Sequence, residues 1–385
     1  MNKKNNLKTD RQKNLEKKYQ FKTDYVKNYD NLKKQILKKE IIPHQVEFQA
    51  PPRGKKICWL ECPYCYGLSA EDNGERLEKK RGLQILKQIL DGGVKKIVFA
   101  GYATDPLNCD YIGELLDLTI SSKAIFGFNT KALKISDTFL KALKNNKISE
   151  GSYISLSVDA GSNETYNLIH DVKAQKVKIY DQVLNNARRL GDIRSENYFD
   201  LSAAYLVNIN SANFNDYENF INDFMSAGCN VLRFSFPQPP KDIKTEKGVI
   251  PNQEEINSYI LDLNKLKKKY ENDKCLIIIT NPDGEHDIYN KPRTVPCYAR
   301  YLFPTVGFDG WLYNCSQSSA PNFRSTALGD LTKNNFWDLF YNYDSKNLDD
   351  YMSVCNKKIA GSGCRCDRKE HIVNQSVINS KVFKI

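Results

Sequence analysis

Leu77–Ala100 reads LEKKRGLQILKQILDGGVKKIVFA. Leu77, Leu83, Ile85, Leu86, Ile89 and Leu90 recur with helical period, and Gly92–Gly93 form a helix stop. The run that follows, Lys95–Ala100, is the continuous apolar pattern of a strand buried on both faces. An amphipathic helix feeding a buried strand is half of a βαβ unit, and the unit repeats in both directions. Upstream, Val46–Ala50 reads as a strand. Downstream, strands are expected at Ala124–Asn129, Tyr153–Val158, Phe199–Val207, Val231–Phe236 and Cys275–Thr280. Helices are expected between them at Tyr111–Ile120, Ser136–Asn145 (with Ser136 as N-cap), Val177–Leu190, Asn215–Ala227 and Glu254–Tyr270. This alternation implies an α/β fold with a parallel sheet. About six units in roughly 230 residues predict a partial (β/α)6 TIM-type barrel rather than a dinucleotide-binding fold. Neither GxGxxG nor a P-loop sequence is present.

The grammar changes after residue 290. Tyr301–Ser316 reads as a β-hairpin turning at Asp309–Gly310, a dipeptide suited to a type I′ turn. Phe336–Tyr341 suits one or two helical turns, and residues 355–366 form a Cys/Gly loop. Three regions are therefore expected: a basic arm or helix over 1–45, the barrel over 46–285, and a small cysteine-bearing domain of hairpin plus helix over 286–385. In the arm, Leu32, Ile36 and Leu37 hint at a weakly amphipathic helix. Residues 1–40 carry +8 of the formal net charge of +11, so the body is nearly neutral and the basicity describes an arm.

The chain has 385 residues, 27% charged and 41% hydrophobic, with 11 Cys and only 4 His. That composition is globular, and a core of this size needs no disulfide staples. No apolar run approaches the ~18–20 residues of a membrane span, and the N-terminal sequence lacks a secretory h-region. A cytoplasmic location with reduced thiols is the expectation, so the cysteines point to metal or redox chemistry.

Residues 58–65 read Cys58-Trp-Leu-Glu-Cys62-Pro-Tyr-Cys65, just after the first strand. Three thiolates can hold three irons of a [4Fe–4S] cube and leave the fourth open to an exogenous ligand, whereas ferredoxin-type clusters are closed by four Cys. A zinc site is the competing reading. Structural zinc usually shows Cys-x₂-Cys pairs supplying four ligands, and the next Cys, Cys109, has no paired spacing.

The Cys-x₃-Cys-x₂-Cys spacing, with Tyr64 before the last Cys, resembles the signature of the radical S-adenosylmethionine (SAM) superfamily. The resemblance implies that Cys58, Cys62 and Cys65 ligate the cluster and that its open iron binds SAM. Reductive cleavage of SAM then yields a 5′-deoxyadenosyl radical that abstracts a substrate hydrogen. Tyr64 would pack near the adenine. Gly101-Tyr-Ala-Thr-Asp105-Pro106 resembles the family's Gly-Gly-Glu-Pro motif, with Asp105 in place of Glu; an Asp capping a helix is the plain alternative. Asn129, within Gly127–Lys131, and Ser155, Ser157 and Asp159, followed by Glu164-Thr-Tyr166, resemble later SAM- or substrate-facing segments. Asn208 and Arg233 occupy similar positions after strand five and in strand six. For Ser155 and Ser157 the alternative is simple strand alternation.

Cys297, Cys315, Cys355, Cys364 and Cys366 form a second group. Cys297 and Cys315 bracket the hairpin, with Gly310 five residues before Cys315. This resembles the Cys-x₉₋₁₅-Gly-x₄-Cys opening of SPASM and Twitch domains, which carry auxiliary iron–sulfur clusters. The distal pattern departs from SPASM: Lys358 and Arg368 fall at expected Cys positions, and Cys366 is extra. One auxiliary [4Fe–4S] cluster is expected, held by Cys297, Cys315 and two of Cys355, Cys364 and Cys366. A zinc ribbon is the rival. Cys109, Cys229 and Cys275 read as buried thiols.

The resemblance implies a radical SAM oxidoreductase with the auxiliary cluster as electron acceptor and a flavodoxin or ferredoxin as donor. A small-molecule substrate, such as a sugar or aminocyclitol, is the first expectation; the short segment before strand one and the loss of a second auxiliary cluster favour it. A SPASM-type peptide or protein maturase is the alternative. A third class, a non-enzymatic iron–sulfur or zinc protein binding nucleic acid through the basic arm, lacks any recognition motif.

Overall fold

The computed structural model describes residues 10–19, 25–54, 58, 60, 62–65, 67, 70–101, 104–172, 177–237, 250–280, 297–343 and 368–382. Two helices precede the sheet, α1 (Asp10–Tyr19) and α2 (Tyr29–Leu37). Then β1 (Val46–Phe48), α3 (Lys79–Asp91), β2 (Lys96–Phe99), α4 (Ile112–Ser121), β3 (Ile125–Thr130), α5 (Asp137–Asn145) and β4 (Tyr153–Ser157) alternate. The series continues through α6 (Asn163–Ile169), α7 (Ile179–Glu196), β5 (Asp200–Leu206), α8 (Phe214–Ser226), β6 (Val231–Ser235), α9 (Gln253–Tyr270) and β7 (Leu276–Ile279). After it come α10 (Ala299–Leu302), β8 (Thr305–Val306), β9 (Trp311–Tyr313), β10 (Gly329–Asp330), α11 (Phe336–Phe340) and α12 (Arg368–Val382).

Local chemistry explains the boundaries. The Ser136 side chain accepts from Phe139 N at the start of α5, as expected of an N-cap. Asn252 and Glu255 close α9 with a reciprocal capping box. α3 buries Ile85, Leu86, Ile89 and Leu90 along one stripe and ends at Gly92. In α2, Leu32 and Ile36 are buried while Leu37 is 42% exposed, so the expected stripe is narrower than its sequence suggests.

The strands form one sheet in the order β10-β9-β8-β1-β2-β3-β4-β5-β6-β7, parallel from β8 to β7. The β8–β9 hairpin therefore joins the barrel sheet: Glu47 of β1 is in register with Thr305 of β8. Its turn differs from the type I′ expectation, which needs positive φ at both Asp309 and Gly310. Only Gly310 has it (φ +81). Gly310 N donates to Gly307 O at 3.0 Å and Gly307 N to Trp311 O at 2.8 Å, the pattern of a three-residue loop closing on a left-handed glycine. Asp309 is instead held by Tyr313 OH (2.8 Å) and by Arg324 Nη2 (2.7 Å).

Register divides the strand residues between two faces. Ile97, Phe99, Phe126, Phe128, Ile154, Leu156, Leu232 and Phe234 are buried on the face that packs against the helices. The opposite, inner face carries polar side chains: Glu47, Asn129, Ser155, Ser157, Ser202, Arg233 and Thr305. A barrel plugged by layers of branched aliphatics would not show that pattern. At the N-terminal ends of the strands, Leu15 of α1 packs on the inner-face residues Val231, Leu276 and Ile278. A cavity of about 780 Å³ lies there between α1 and the strand ends, lined in part by His44, Lys96 and Asp200. The C-terminal ends of the strands carry the sequence motifs.

The segment after the barrel is fastened to its flank. The Trp337 indole donates to Gln88 O (2.8 Å) and Phe336 N to Gln88 Oε1 (3.1 Å) on α3. On α12, Ser376 and Ser380 accept from Tyr25 N and Tyr29 N. Among the described residues no helix is long and apolar enough to cross a membrane.

Candidate functional site

The loop after β1 carries Cys58, Cys62 and Cys65, all free thiols; Cys62 is buried and the other two are partly exposed. Cys65 N donates to Cys62 O (3.0 Å), and Gly67 N to Cys65 Sγ (3.3 Å). Burial pushes the Cys62 thiol up to about 12, so it keeps its proton until a metal displaces it. This loop lies over the C-terminal ends of β3 and β4.

Asp159 follows β4 in the left-handed region (φ +65), which Asp tolerates better than most residues. The bend lets Val158 N and Asp159 N share Ala204 O, while Asp159 Oδ1 accepts from Leu206 N (2.9 Å). Its other oxygen, Oδ2, meets Lys131 Nζ at 2.6 Å and Tyr64 OH at 3.3 Å. Burial opposes the charge on Asp159, but Lys131 outweighs it and holds the carboxyl below the usual range. Burial likewise opposes the Lys131 ammonium, and Asp159 keeps it charged. The pair is a buried ion pair that stands only with both partners present.

His170, the residue after α6, is fully buried and completes this cluster. Its Nδ1 lies 3.0 Å from Cys62 Sγ and 3.2 Å from Tyr64 OH. Its Nε2 lies 3.3 Å from Val158 O and 3.4 Å from Lys131 Nζ. Burial and then Lys131 push the imidazole down to about 3, so it is neutral. Tyr166, one turn earlier on α6, lies against it with ring centroids 4.2 Å apart. The Tyr166 hydroxyl is buried with no partner among the described residues.

The other sequence candidates fall around the same mouth. Asp105 is a cap: its carboxylate accepts from Leu107 N (3.0 Å), Thr130 Oγ1 (2.6 Å) and Lys131 N (2.6 Å). A carboxylate has room for about one further donor beyond these three. Gly101 permits the turn that brings Asp105 there, because a Cβ would sit 1.7 Å from Thr104 O. Asn129 and Ser155 are in register, as are Ser157 and Ala204, and Ala204 and Arg233, so these residues form rows on the inner face. Asn208 caps the turn after β5 through Asn210 N and Ser211 N, and its Nδ2 is buried without a partner among the described residues. Tyr64 binds Asp159 and His170 through its hydroxyl. Cys315 is buried beside Ser318, and Cys297 is partly exposed. Cys355, Cys364 and Cys366 lie outside the described residues.

Lys131 and His170 were not among the sequence candidates. Lys131 stands inside the quoted Gly127–Lys131 stretch, and His170 is one of only 4 His, ending the helix that holds Glu164-Thr-Tyr166. Their pairing depends on strands and helices meeting in space, which no local pattern reports.

The donor set suits an iron–sulfur cluster: three thiols on one loop, a neutral imidazole beside one of them, and a polar barrel mouth. Among the described residues no three His, Cys, Asp or Glu side chains converge on a single ion position; a cube takes its thiolates at separate corners.

Residues 55–233 match the family model of the Radical SAM superfamily. Membership of that family implies a [4Fe–4S] cluster and SAM. Among solved structures, SuiB of Streptococcus suis bound to S-adenosylmethionine is 15% identical, with a TM-score of 0.59 over 90% of this chain and 76% of SuiB. SuiB has also been solved with the precursor peptide SuiA, at 15% identity and a TM-score of 0.58 over 90% of this chain and 74% of SuiB. The protein anSMEcpe with bound AdoMet is 16% identical, with a TM-score of 0.56 over 89% of this chain and all of anSMEcpe (100%). At these identities the likeness is one of fold. No curated protein matches the chain.

Proposed function

We propose that this protein is a radical SAM oxidoreductase acting on a small polar substrate at the C-terminal mouth of the barrel. The observation that carries this reading is the Cys58–Cys62–Cys65 loop set over strand ends whose inner face is polar, inside the segment that matches the superfamily. Cys58, Cys62 and Cys65 would hold the [4Fe–4S] cluster. Bound there, it would supply the electron for reductive cleavage of SAM, the chemistry that leads to hydrogen-atom abstraction from a substrate.

The chain's own residues shape where this happens. Lys131, Asp159 and Tyr64 brace the cysteine loop against β3 and β4 through hydrogen bonds to one buried carboxylate. Gly101 and Asp105 fix the turn after β2 facing that loop. Asn129, Ser155, Ser157 and Arg233 offer donors and acceptors to SAM or to a hydroxylated substrate, and Arg233 adds a positive charge for an anionic group. An auxiliary [4Fe–4S] cluster on Cys297, Cys315 and two of the three distal cysteines would accept the second electron of an oxidation. Residues 1–45, 46–285 and 286–385 remain the proposed regions, with flavodoxin or ferredoxin as electron donor.

A peptide substrate is the second reading, favoured by the fold shared with SuiB, which has been solved with its precursor peptide. One labelling experiment separates the two. Extract from cells grown in deuterium oxide is divided by ultrafiltration, and each fraction is given to the reconstituted enzyme with SAM and reductant. Deuterium in 5′-deoxyadenosine from the small-molecule filtrate supports the first reading; deuterium only from the retained fraction supports the second. Absence of 5′-deoxyadenosine from both contradicts the enzyme assignment.

A further inference from the structure

We propose that His170 is a positioning residue for the cluster, donating from Nδ1–H to the Cys62 thiolate and raising the cluster's reduction potential. The proposal rests on the reading of Cys62 as a cluster ligand. The geometry is specific: Nδ1 stands 3.0 Å from Cys62 Sγ, both groups are buried, and the ring is wedged against Tyr166.

The tautomer follows from ligation of Cys62. A ligating thiolate has no proton and can only accept, so the contact survives ligation only if Nδ1 carries the hydrogen. Nε2 then presents its lone pair to Lys131 Nζ, which can only donate, at 3.4 Å, while the Val158 carbonyl oxygen, 3.3 Å away, receives no hydrogen bond from the ring. Tyr64 OH, donating to Asp159, leaves its oxygen free to share the Nδ1 hydrogen at 3.2 Å. Lys131 is in turn fixed by Asp159, so the pair holds the imidazole in one orientation without adding net charge. Hydrogen bonds to cluster sulfurs are among the protein's controls on potential, because they stabilise the extra negative charge of the reduced state.

The test uses the reconstituted full-length protein and reads the midpoint potential of the cluster whose electron-paramagnetic-resonance signal changes on adding SAM. His170→Phe keeps a ring against Tyr166 but removes the N–H. It should lower the reduced-to-oxidised ratio at fixed potential about tenfold, equivalent to ~59 mV for one electron. His170→Asn, which places an amide N–H near Nδ1, should recover most of that loss. An unchanged potential in the Phe variant, or a loss in Asn equal to that in Phe, overturns the proposal. If the Phe variant takes up no iron, wild-type protein labelled with ¹⁵N-histidine decides: a nitrogen coupling on the reduced cluster that His170→Asn abolishes supports the bond, and its absence refutes it. Cys62→Ala separates the two levels. If it keeps its full iron content, the ligand assignment fails; if it loses the SAM-responsive cluster while His170→Phe leaves the potential unchanged, only the hydrogen bond fails.

Discussion

Asp159 is the residue on which the site turns. Its left-handed backbone directs one oxygen to β5 and the other to Lys131 and Tyr64. Replacing Lys131 by Met leaves the carboxylate buried without its counter-charge, and breaking such a pair costs about 3–5 kcal/mol. Denaturant unfolding of the apoprotein should show that loss, and Asp159→Asn in the Lys131→Met background should recover part of it. The pH dependence has a definite sign. The folded carboxyl titrates below its unfolded value of about 4, so the pair's stabilisation is complete above that value and is lost as the pH falls through the lower folded one. The acid limb of a stability–pH profile should therefore be steeper in the wild type than in Asp159→Asn. The sequence marks Asp159 by motif, but Lys131 and His170 could not be read as its partners, because residues 131, 159 and 170 meet only after β3, β4 and α6 pack.

At the scale of elements, the loop between β4 and α6 is pinned by α8. Asp216 accepts from Gly161 N (2.8 Å), Thr165 Oγ1 (2.9 Å) and Tyr205 OH (2.5 Å). Three bonds to one buried carboxylate set the start of the helix that delivers His170. Asp216→Ala should destabilise the fold by about 3–6 kcal/mol, since bonds to charged groups are worth roughly 1.5–3 kcal/mol each and one of the three vacated donors can find water. Circular-dichroism melts check this, and a change under 0.5 kcal/mol would show that the loop holds itself. The parallel strands and the helices α3, α4, α5, α8 and α9 were legible to within a few residues because hydrophobic period and capping residues are local signals; α7 runs six residues beyond its expected end, and α1, α6 and α12 were not expected. The hairpin turn was misread: Asp-Gly suits a type I′ turn, but Asp309 is engaged by Tyr313 and Arg324, side chains the dipeptide does not contain. The pairing of β8 with β1 was equally invisible, as it joins residues some 250 positions apart.

For the whole molecule, barrel, hairpin and terminal helices form one continuous arrangement. The cysteines of the first group sit on the barrel mouth, and Cys297 and Cys315 flank the strands that extend its sheet. Two clusters give about eight irons per chain and one gives about four. Reconstituted protein should hold about eight, Cys58→Ala/Cys62→Ala/Cys65→Ala about four, and Cys297→Ala/Cys315→Ala about four with SAM-responsive signals intact. One stoichiometric zinc in place of the second set would contradict the auxiliary cluster. The fold class was legible because strand–helix alternation is written along the chain, and the thiolate spacing is what marks Cys58, Cys62 and Cys65 as the candidate ligands. The substrate was not, since the inner face that would contact it gathers single residues from many strands. The most direct test of the central claim is the anaerobic incubation of reconstituted protein with SAM and dithionite, with 5′-deoxyadenosine measured by chromatography. The account expects 5′-deoxyadenosine from the wild type and none from Cys62→Ala; a fully iron-loaded wild type that forms none would contradict it.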